Sequence, residues 1–532
     1  MTSKEGTHKE DGYDEEEIPP LPEGWTRCHV YMRPKRRYCR QQVLGGSMYC
    51  GNHQTLDPDR TETHQKLRIP CPLDPSHLVL AHKVQAHVIK CPSAKKQRQV
   101  QEATYFRRDV NKGGYGSLDD NRYDPCSDAQ HPLAWAQKIA LAVLKIHQHI
   151  FVNASLDNVV DAKVMTLEDI EKALTFEDFS STEIEAGLEA AVDDHRIKSG
   201  GSKHLHQQAS LVGHLRRLGA LPEALDTKKE KQRPLTQEYD KTTKKPRTTS
   251  HTFFEMGAGR GMLGLVAAGV SAVAQPTNLV LLERSGSRSK ADTVLRNLSS
   301  EGTHNPSSYL NLHNLNHWSR IQCDLAHVHM ATMLHESSIT NSGVGMIHVI
   351  AKHLCGAGTD LALKAMEPIK DHVTTCLFAT CCHGVCNWND YVGRDYLRQV
   401  FAQENVPFSG KEFELLRRWS GGTVLSENHS KEGDPDGHPI SKSSNNDDDN
   451  RSPVAIGRIV DSLGLVCGAQ GLGRCCQRLI DYGRREYMQQ VIFTNNSTSS
   501  TNLVHYVLPD VTPQNALIIG RNYQSVSTRA SK

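Results

Sequence analysis

The sequence predicts an α/β domain with a parallel sheet, preceded by two small Cys/His-rich elements and a helical region. Apolar, strand-like runs alternate with helical stretches from residue 252 to about residue 388, which is typical of a parallel α/β sheet. These runs are Thr252–Met256, Asn278–Leu282, Gly345–Ala351 and Thr375–Thr380. Five of the 15 cysteines lie within residues 25–92, outside this domain.

Length and charge narrow the class of protein. The 532 residues suffice for three or four folded units of about 150 residues each. Lys and Arg number 62 against 60 Asp and Glu, which excludes a globally basic nucleic-acid binder but not a local basic face. The chain has no long apolar run and starts with an acidic segment, so we expect neither a membrane span nor secretion, but a place in the nucleus or cytoplasm. Its cysteines then favour thiols and metal ligands over disulfides.

Composition divides the chain into eight segments. We predict a disordered tail (1–24), two Cys/His elements (25–58 and 66–95), a helical linker region (130–225), a basic linker (226–251), the α/β domain (252–426), an acidic disordered insertion (427–453) and the C-terminal part of that domain (454–525). Candidate helices lie at Trp135–Ile146, Thr166–Leu174, Ser181–Asp194 and 454–490, and two further β-type runs at Asn502–Leu508 and Ala516–Gly520.

The first Cys/His element has the spacing Cys28-x10-Cys39-x10-Cys50-x2-His53. Three thiols and one imidazole suit a tetrahedral zinc ion, and a full set of four ligands suits a structural site. Basic and aromatic residues lie between the ligands, a mixture that suits a polyanion. The alternative is a chance scatter of cysteines and histidine.

The second element has the spacing Cys71-x5-His77-x9-His87-x3-Cys91. His87 and Cys91 are four residues apart and would share one face of a helix. Cys71 and His77 would come from the preceding turn and knuckle, with His82 as an alternative ligand. Segments this short bury too little apolar surface to fold unaided, so we expect zinc to supply the missing stability in both elements.

A glycine-rich loop follows the first strand of the α/β domain. The strand Thr252–Met256 leads into Gly257-x-Gly259-x-Gly261 and then into a helix-like stretch, an arrangement that lets backbone approach a ligand. Glu283 ends the next strand, where a carboxylate can accept hydrogen bonds from both hydroxyls of a ribose. The loop lacks the patterns of dinucleotide and ATP binders. A tight turn without any ligand remains the alternative.

With Glu255 at its start, this loop resembles that of the class I (Rossmann-like) S-adenosylmethionine methyltransferases. The fold of that family places an adenine-contacting acid at the position of Asp324. The resemblance implies that S-adenosyl-L-methionine is held by Glu255, Gly257, Gly259, Gly261, Glu283 and Asp324.

Polar residues follow two further strands. Lys352-His353-Leu354-Cys355-Gly356 comes after one strand, and Cys381-Cys382-His383 comes after the next. Ligands of open parallel sheets bind beyond these carboxyl ends. A metal site formed by Cys381, Cys382, His383 and Cys386 is disfavoured, because adjacent cysteines on a strand point to opposite faces. We expect a packed thiol cluster lining the cofactor pocket.

Taken together, the chain resembles the eukaryotic tRNA 2′-O-methyltransferase family that modifies nucleotide 4 of the acceptor stem. The resemblance rests on both Cys/His elements, the two strand-end motifs and the segment from Cys476 to Arg484, and it covers nearly the whole chain. It implies methyl transfer to a ribose 2′-hydroxyl of tRNA. The chain departs from the family at Gly384, where a second histidine is expected after His383.

A 2′-hydroxyl is a poor nucleophile at neutral pH and needs a base or a cation beside it. The groups available at the strand ends are Lys352, His353 and His383. For phosphate contacts we expect two sets of arginines, namely Arg33, Arg36 and Arg37 near the first element, and Arg474, Arg478, Arg484 and Arg485 in the C-terminal helix.

Two other functions stay open at this point. One is a non-catalytic RNA-binding protein with a degenerate methyltransferase fold, and the other is a methyltransferase that acts on protein or on small molecules. The expected partner is tRNA, with no DNA and no membrane. Protein partners, oligomeric state and the tRNA species are not set by the sequence.

Overall fold

A computed structural model describes residues 18–32, 37–43, 47–50, 53, 68–113, 131–152, 161–188, 202–222, 250–285, 290–301, 312–336, 345–352, 354–421, 452, 454–494 and 499–522. It contains two compact units, Met1–Gln99 with Ser430–Lys442, and Val100–His429 with Ser443–Lys532. Arg33, Arg36, His353 and most of the predicted tail, basic linker and acidic insertion lie outside the described residues. Among the described residues, none of the helices combines the length and the apolar character needed to span a bilayer.

The first unit consists of small hairpins and short helices. Its elements are β1 (Tyr31–Met32), β2 (Arg37–Tyr38), β3 (Arg68–Cys71), β4 (Asp74–Leu80), α1 (Val84–Lys90) and α2 (Pro92–Gln101). The strands pair as two antiparallel ribbons, β1 with β2 and β3 with β4. The buried apolar residues of each ribbon are mainly the cysteines themselves, so metal ligands take the place of a hydrophobic core.

The second unit is built around a seven-stranded sheet. Its strands are β5 (His251–Met256), β6 (Thr277–Glu283), β7 (Leu315–Gln322), β8 (Met346–Lys352), β9 (Val373–Ala379), β10 (Ser500–His505) and β11 (Ala516–Arg521), in the spatial order β10-β11-β9-β8-β5-β6-β7. The strands β5 to β9 are parallel, whereas β11 runs antiparallel to β9 and β10. The α/β prediction is confirmed, but the sheet is mixed rather than purely parallel.

Helices connect and cover these strands. They are α3 (Pro132–His147), α4 (Leu167–Lys172), α5 (Ser180–Glu183), α6 (Ser202–Arg217), α7 (Met262–Ser271), α8 (Lys290–Glu301), α9 (Met330–Glu336), α10 (Gly358–Met366), α11 (Arg394–Gln403), α12 (Gly410–Trp419), α13 (Ile456–Leu463) and α14 (Gly468–Tyr487). Alternate strand residues point to opposite faces, so Phe253 packs with α7 in one core while Phe254 packs with α10 in another. Helices therefore lie on both faces of the sheet.

A third core joins helices that are distant in the sequence. Residues of α3, α11, α12, α13 and α14 pack together around the buried aromatic side chains of Trp388, Tyr391 and Phe413. The helix α14 is central to this core, and its residues Gly471–Ile480 are all buried. The first part of the predicted helical linker region and the C-terminal segment thus share one core, whereas α6 of the same region packs in the core that contains Phe253.

The order of the strands reverses between β5 and β8. From β5 the chain continues outward through β6 and β7 and then returns to add β8 and β9 on the other side. Such a reversal opens a crevice beyond the carboxyl ends of the two central strands, where open α/β sheets bind their ligands. The glycine loop follows β5 and the lysine motif follows β8, so both predicted motifs meet at this crevice.

Candidate functional site

The four predicted ligands of the first element converge. The donor atoms of Cys28, Cys39, Cys50 and His53 all lie within 4.8 Å of one another. Sγ of Cys39 is 4.0 Å from Sγ of Cys50, and Nδ1 of His53 is 3.3 Å from Sγ of Cys28. A zinc tetrahedron with bonds of about 2.3 Å places its sulfur atoms about 3.8 Å apart. The donor set therefore fits zinc in both chemistry and spacing.

The four predicted ligands of the second element also converge within 4.8 Å. Sγ of Cys71 is 3.9 Å from Sγ of Cys91, and the Nε2 atoms of His77 and His87 are 3.0 Å apart. Cys71 and His77 lie on the two strands of the β3–β4 hairpin rather than on a turn and knuckle. His82 is exposed and lies outside this donor set. The histidines of the set are therefore His77 and His87, and not the alternative His82.

The glycine loop has a distinct constraint at each of its three glycines. Gly257, Gly259 and Gly261 have φ values of +65°, +48° and +72°, which L side chains rarely adopt. A Cβ at Gly257 would lie 2.2 Å from Cδ2 of Leu354, whereas a Cβ at Gly259 would meet nothing within 4 Å. The outer glycines are therefore required by packing, and the middle one faces open space that a ligand can enter.

Two acidic side chains stand beside this loop. Oε2 of Glu283 accepts a hydrogen bond of 2.8 Å from the Gly259 N–H, and Oε1 accepts one of 2.8 Å from the Ser285 N–H. Asp324 follows β7, and its Oδ1 accepts from the Ala326 N–H at 2.9 Å. Both carboxylates are half-buried and keep lone pairs for further donors. The structure thus brings the loop and both predicted acids to one edge of the sheet.

Glu255 and Lys352 form an electrostatic pair beneath the loop. Burial raises the pKa of Glu255 to about 7, against the opposing effects of the Gly264 N–H and the cations Arg320 and Lys352. Burial lowers the pKa of Lys352 to about 8, with Glu255 opposing. Oε2 of Glu255 accepts from the Gly264 N–H at 2.9 Å, so this carboxylate braces the start of α7 from below. Lys352 is half-buried at the end of β8, where an amine of such pKa can exchange a proton near neutral pH.

His383 is held from behind by a buried carboxylate. Its Nε2 is 2.8 Å from Oδ2 of Asp481, which also accepts from Oγ1 of Thr380 at 2.7 Å. Burial opposes ionisation of Asp481, but His383, Arg484 and Thr380 together lower its pKa. The imidazole is only 3% exposed, and its Nδ1 finds no hydrogen-bond partner among the described residues. This geometry suits a side chain that holds the turn after β9 in place.

Comparison with known families decides the relationship of this chain. The family described as Methyltransferase TRM13 matches residues 206–521, more than half of the sequence. The chain belongs to this TRM13 methyltransferase family. A U11-48K-like CHHC zinc finger matches residues 68–92, and a CCCH zinc finger in TRM13 protein matches residues 26–54. The expected family and the two zinc-finger elements are therefore confirmed.

Several relatives of the TRM13 family align with almost the full chain. A Mus musculus protein named tRNA:m(4)X modification enzyme TRM13 homolog is 25% identical over 92% of this chain and 93% of its own length. The Homo sapiens protein of the same name is 24% identical over 92% of this chain and 94% of its own. A Vanderwaltozyma polyspora protein named tRNA:m(4)X modification enzyme TRM13 is 25% identical over 93% and 97%.

Three of the four α14 arginines expected to bind phosphate are instead buried. Arg474, Arg478 and Arg484 of α14 are 5%, 1% and 2% exposed. Both Arg474 and Arg478 pair with Glu171, at 2.9 and 3.0 Å. The prediction that these three side chains contact tRNA is wrong, because each is used for an internal ion pair. Arg485 is half-buried and donates to the Thr501 carbonyl, whereas Arg37 is half-buried in β2.

Sequence reasoning also missed two residues that support the candidate site. Nη1 of Arg320 donates to the Gly259 carbonyl at 3.1 Å, and its Nε donates to Oδ1 of Asp292 at 2.7 Å. Arg320 therefore ties the glycine loop to α8. Asp481 anchors His383 from α14, about a hundred residues further along the chain. No local pattern marks either residue, since each acts through a contact that only the fold creates.

Proposed function

We propose that this chain is a tRNA methyltransferase that transfers a methyl group from S-adenosyl-L-methionine to the ribose 2′-hydroxyl of nucleotide 4 in the acceptor stem. Membership of the TRM13 methyltransferase family and the tRNA modification named in its relatives support the substrate class. The observation that supports binding of S-adenosyl-L-methionine is the open space at Gly259 beside Glu283. We further propose that the protein acts in the nucleus or cytoplasm.

The loop residues fit S-adenosyl-L-methionine, which supplies an electrophilic methyl group on a sulfonium. The open backbone at Gly259 would take the close approach of the cofactor, and the remaining lone pairs of Glu283 would accept its ribose hydroxyls. Asp324, two residues beyond β7, would contact the adenine end. Gly257 and Gly261 let the loop pack closely against Leu354 and Arg320. Glu255 would support the loop through its hydrogen bond from the Gly264 N–H.

Lys352 is the group we propose to act on the 2′-hydroxyl. Transfer of a methyl group to that hydroxyl releases a proton, which a neighbouring base must take. Lys352 lies at the crevice beyond the carboxyl ends of β5 and β8. Burial lowers the pKa of its amine to about 8, so a fraction of this amine is neutral under physiological conditions. His383 would hold the turn after β9 through Asp481, and His353 keeps the role predicted from the sequence.

The two fingers are proposed to bind one structural zinc ion each. Cys28, Cys39, Cys50 and His53 form one ligand set, and Cys71, His77, His87 and Cys91 form the other. We propose that these fingers, with Arg37 beside the first ligand set, contribute to tRNA capture. Phosphate contacts of this kind release counterions and make binding depend on salt.

Incubation of the full chain with methyl-labelled S-adenosyl-L-methionine and bulk tRNA tests the proposal. Nuclease digestion should yield a labelled 2′-O-methylated nucleoside, mapped to nucleotide 4 by sequencing. Label on a base would overturn the 2′-O assignment. Label on protein or a small molecule would favour the alternative methyltransferase, and absence of cofactor binding would favour a degenerate fold that only binds RNA.

Matched variants separate the roles of the loop and the lysine. Gly259→Ala should weaken cofactor binding by calorimetry, whereas Gly464→Ala provides the control because Gly464 also has positive φ and open space. Lys352→Ala should lower turnover by about a hundredfold, with Lys364→Ala as the half-buried control. A rate profile that rises towards pH 8 supports the lysine, and a rise centred near the ordinary histidine pKa of about 6.5 would reassign the base to a histidine.

A further inference from the structure

Three cysteine thiols meet at the carboxyl edge of the sheet, away from both fingers. The Sγ atoms of Cys355, Cys381 and Cys382 all lie within 4.8 Å of one another, and those of Cys355 and Cys381 are 3.6 Å apart. Cys355 follows β8, whereas Cys381 and Cys382 follow β9. All three are thiols rather than halves of disulfides.

The backbone explains why adjacent cysteines can share one site. On a strand, Cys381 and Cys382 would point to opposite faces, but β9 ends at Ala379. Cys382 has φ −19° and ψ 57°, far from strand values, and it leads into a short turn at His383–Val385. Strand alternation therefore does not apply here. His383 and Cys386, considered as ligands from the sequence, are replaced by Cys355 in the observed cluster.

The spacing of these thiols matches that of the two zinc-finger donor sets. The sulfur–sulfur distances there are 4.0 and 3.9 Å, compared with 3.6 Å between Cys355 and Cys381. A thiolate tetrahedron around zinc requires about 3.8 Å. Three thiols at this separation form one triangular face of such a tetrahedron. The arrangement leaves one coordination position without a cysteine.

The segment that carries Cys355 is fixed by its surroundings. Leu354 is buried against Gly257, and Gly356 has φ +62° with the Val385 carbonyl only 2.7 Å from the position of a Cβ. The Gly356 carbonyl accepts hydrogen bonds from Nη2 of Arg484 at 3.3 Å and from Sγ of Cys386 at 3.5 Å. The two strand-end segments are thus locked together, which preorganises their thiols.

Exposure distinguishes a ligand site from ordinary core packing. Cys381 is buried, but Cys355 and Cys382 are exposed. Two exposed thiols gain little from burial, and packing alone does not account for their convergence on the third. Three soft ligands with an open fourth position are the pattern of zinc sites that exchange a ligand, whereas closed sets of four are structural.

We propose that Cys355, Cys381 and Cys382 form a third metal site, which binds a thiophilic divalent cation of the zinc class and leaves one position for an exogenous ligand. The site stands at the same sheet edge as Lys352 and the glycine loop. The proposal does not depend on the methyl-transfer reaction, because its measured quantity is bound metal.

The test compares metal content in the full chain. Zinc-loaded protein, freed of loose metal by gel filtration, is analysed by atomic emission for the wild type, the double variant C355S/C382S and the control C376S. Cys376 is a buried thiol of β9 that packs on Met366, so its replacement leaves the cluster intact. We expect the double variant to hold one zinc ion fewer than the wild type and the control.

A second measurement needs no variant and covers a failure of the double variant to fold. Wild-type protein is stripped of metal and alkylated without denaturant, either with or without added zinc. Peptide masses should show slower alkylation of Cys355 and Cys382 when zinc is present. Equal zinc content in all three proteins, together with unchanged alkylation, would overturn the proposal. A disulfide between Cys355 and Cys381 in the purified protein without a third metal would overturn it as well.

Discussion

Replacing Arg484 by methionine should lower the free energy of unfolding by about 3–5 kcal/mol, because it strands two buried carboxylates. Arg484 is 2% exposed, and Asp360 and Asp481 are both fully buried. Its Nη2 lies 2.6 Å from Oδ2 of Asp360, and its Nη1 lies 3.0 Å from Oδ1 of Asp481. Methionine keeps most of the side-chain volume, so the expected loss comes from the missing cation rather than from a cavity.

The adjacent arginine provides the control. Arg485 is half-buried, and its guanidinium donates to the Thr501 carbonyl at 3.0 Å. Arg485→Met should therefore cost about 1 kcal/mol. Urea unfolding followed by the fluorescence of Trp388 and Trp419, both buried in the third core, reports the difference. The triple variant R484M/D360N/D481N should recover much of the stability, since neutral amides are cheaper to bury than unpaired carboxylates.

Two outcomes would refute this reasoning about Arg484. If R484M unfolds within about 1 kcal/mol of the wild type, the buried carboxylates do not need its charge. If R484M keeps its stability but binds tRNA with a weaker dependence on salt, Arg484 contacts phosphate as the sequence predicts rather than the two buried carboxylates.

Three further predictions concern metal, pH and salt. Cys71→Ser in the full chain should remove one zinc ion by atomic emission, and unchanged zinc content would exclude Cys71 as a ligand. Burial lowers the pKa of His505 to about 3, with Arg478 and Arg474 adding to the effect, and lowers that of His251 to about 4. Between these pKa values and about pH 6.5, these two histidines bind more protons in the unfolded chain than in the folded one. Each histidine should therefore lower the free energy of unfolding by about 1.4 kcal/mol for every pH unit below about 6.5. Urea unfolding at pH 5 and 7 measures this, and equal stabilities would contradict it. The affinity for tRNA should fall steeply between about 50 and 200 mM salt, and a flat response in filter binding would argue against phosphate contacts.

Strand prediction succeeded where burial is complete. β5 and β9 are buried along their whole length and read as continuous apolar runs. β7 escaped prediction because its sequence, LNHWSRIQ, is largely polar and its residues are mostly half-buried. It is the last strand at one end of the sheet, so it pairs with one neighbouring strand and is only partly covered by other residues. An edge strand therefore carries a weaker hydrophobic pattern than a central one.

The ligand sets of the fingers could be predicted because their spacing is local and their chemistry is restricted. A thiol cluster at the carboxyl edge of the sheet is expected from the sequence, but its membership is not, because the convergence of Cys355, Cys381 and Cys382 depends on the backbone of Cys382 beyond the end of β9. The prediction that the buried α14 arginines contact phosphate is wrong for a related reason. Arg484 finds Asp360 from 124 residues away in sequence, and Arg478 finds Glu171 from 307 residues away. Charge partners at such distances are invisible to a local reading of a basic helix.

The buried charges of α14 have a consequence for the candidate site. Asp481 anchors His383 and Thr380 after β9, while Arg484 binds the Gly356 carbonyl after β8. One helix thus fixes the ends of both strands, next to the lysine and the thiols. Because the tetrapeptide from Asp481 to Arg484 places both side chains on one helical face, a single turn of α14 positions two separate strand-end segments. The charged side chains of Asp481 and Arg484 are therefore used inside the core, where they hold the segments that follow β8 and β9.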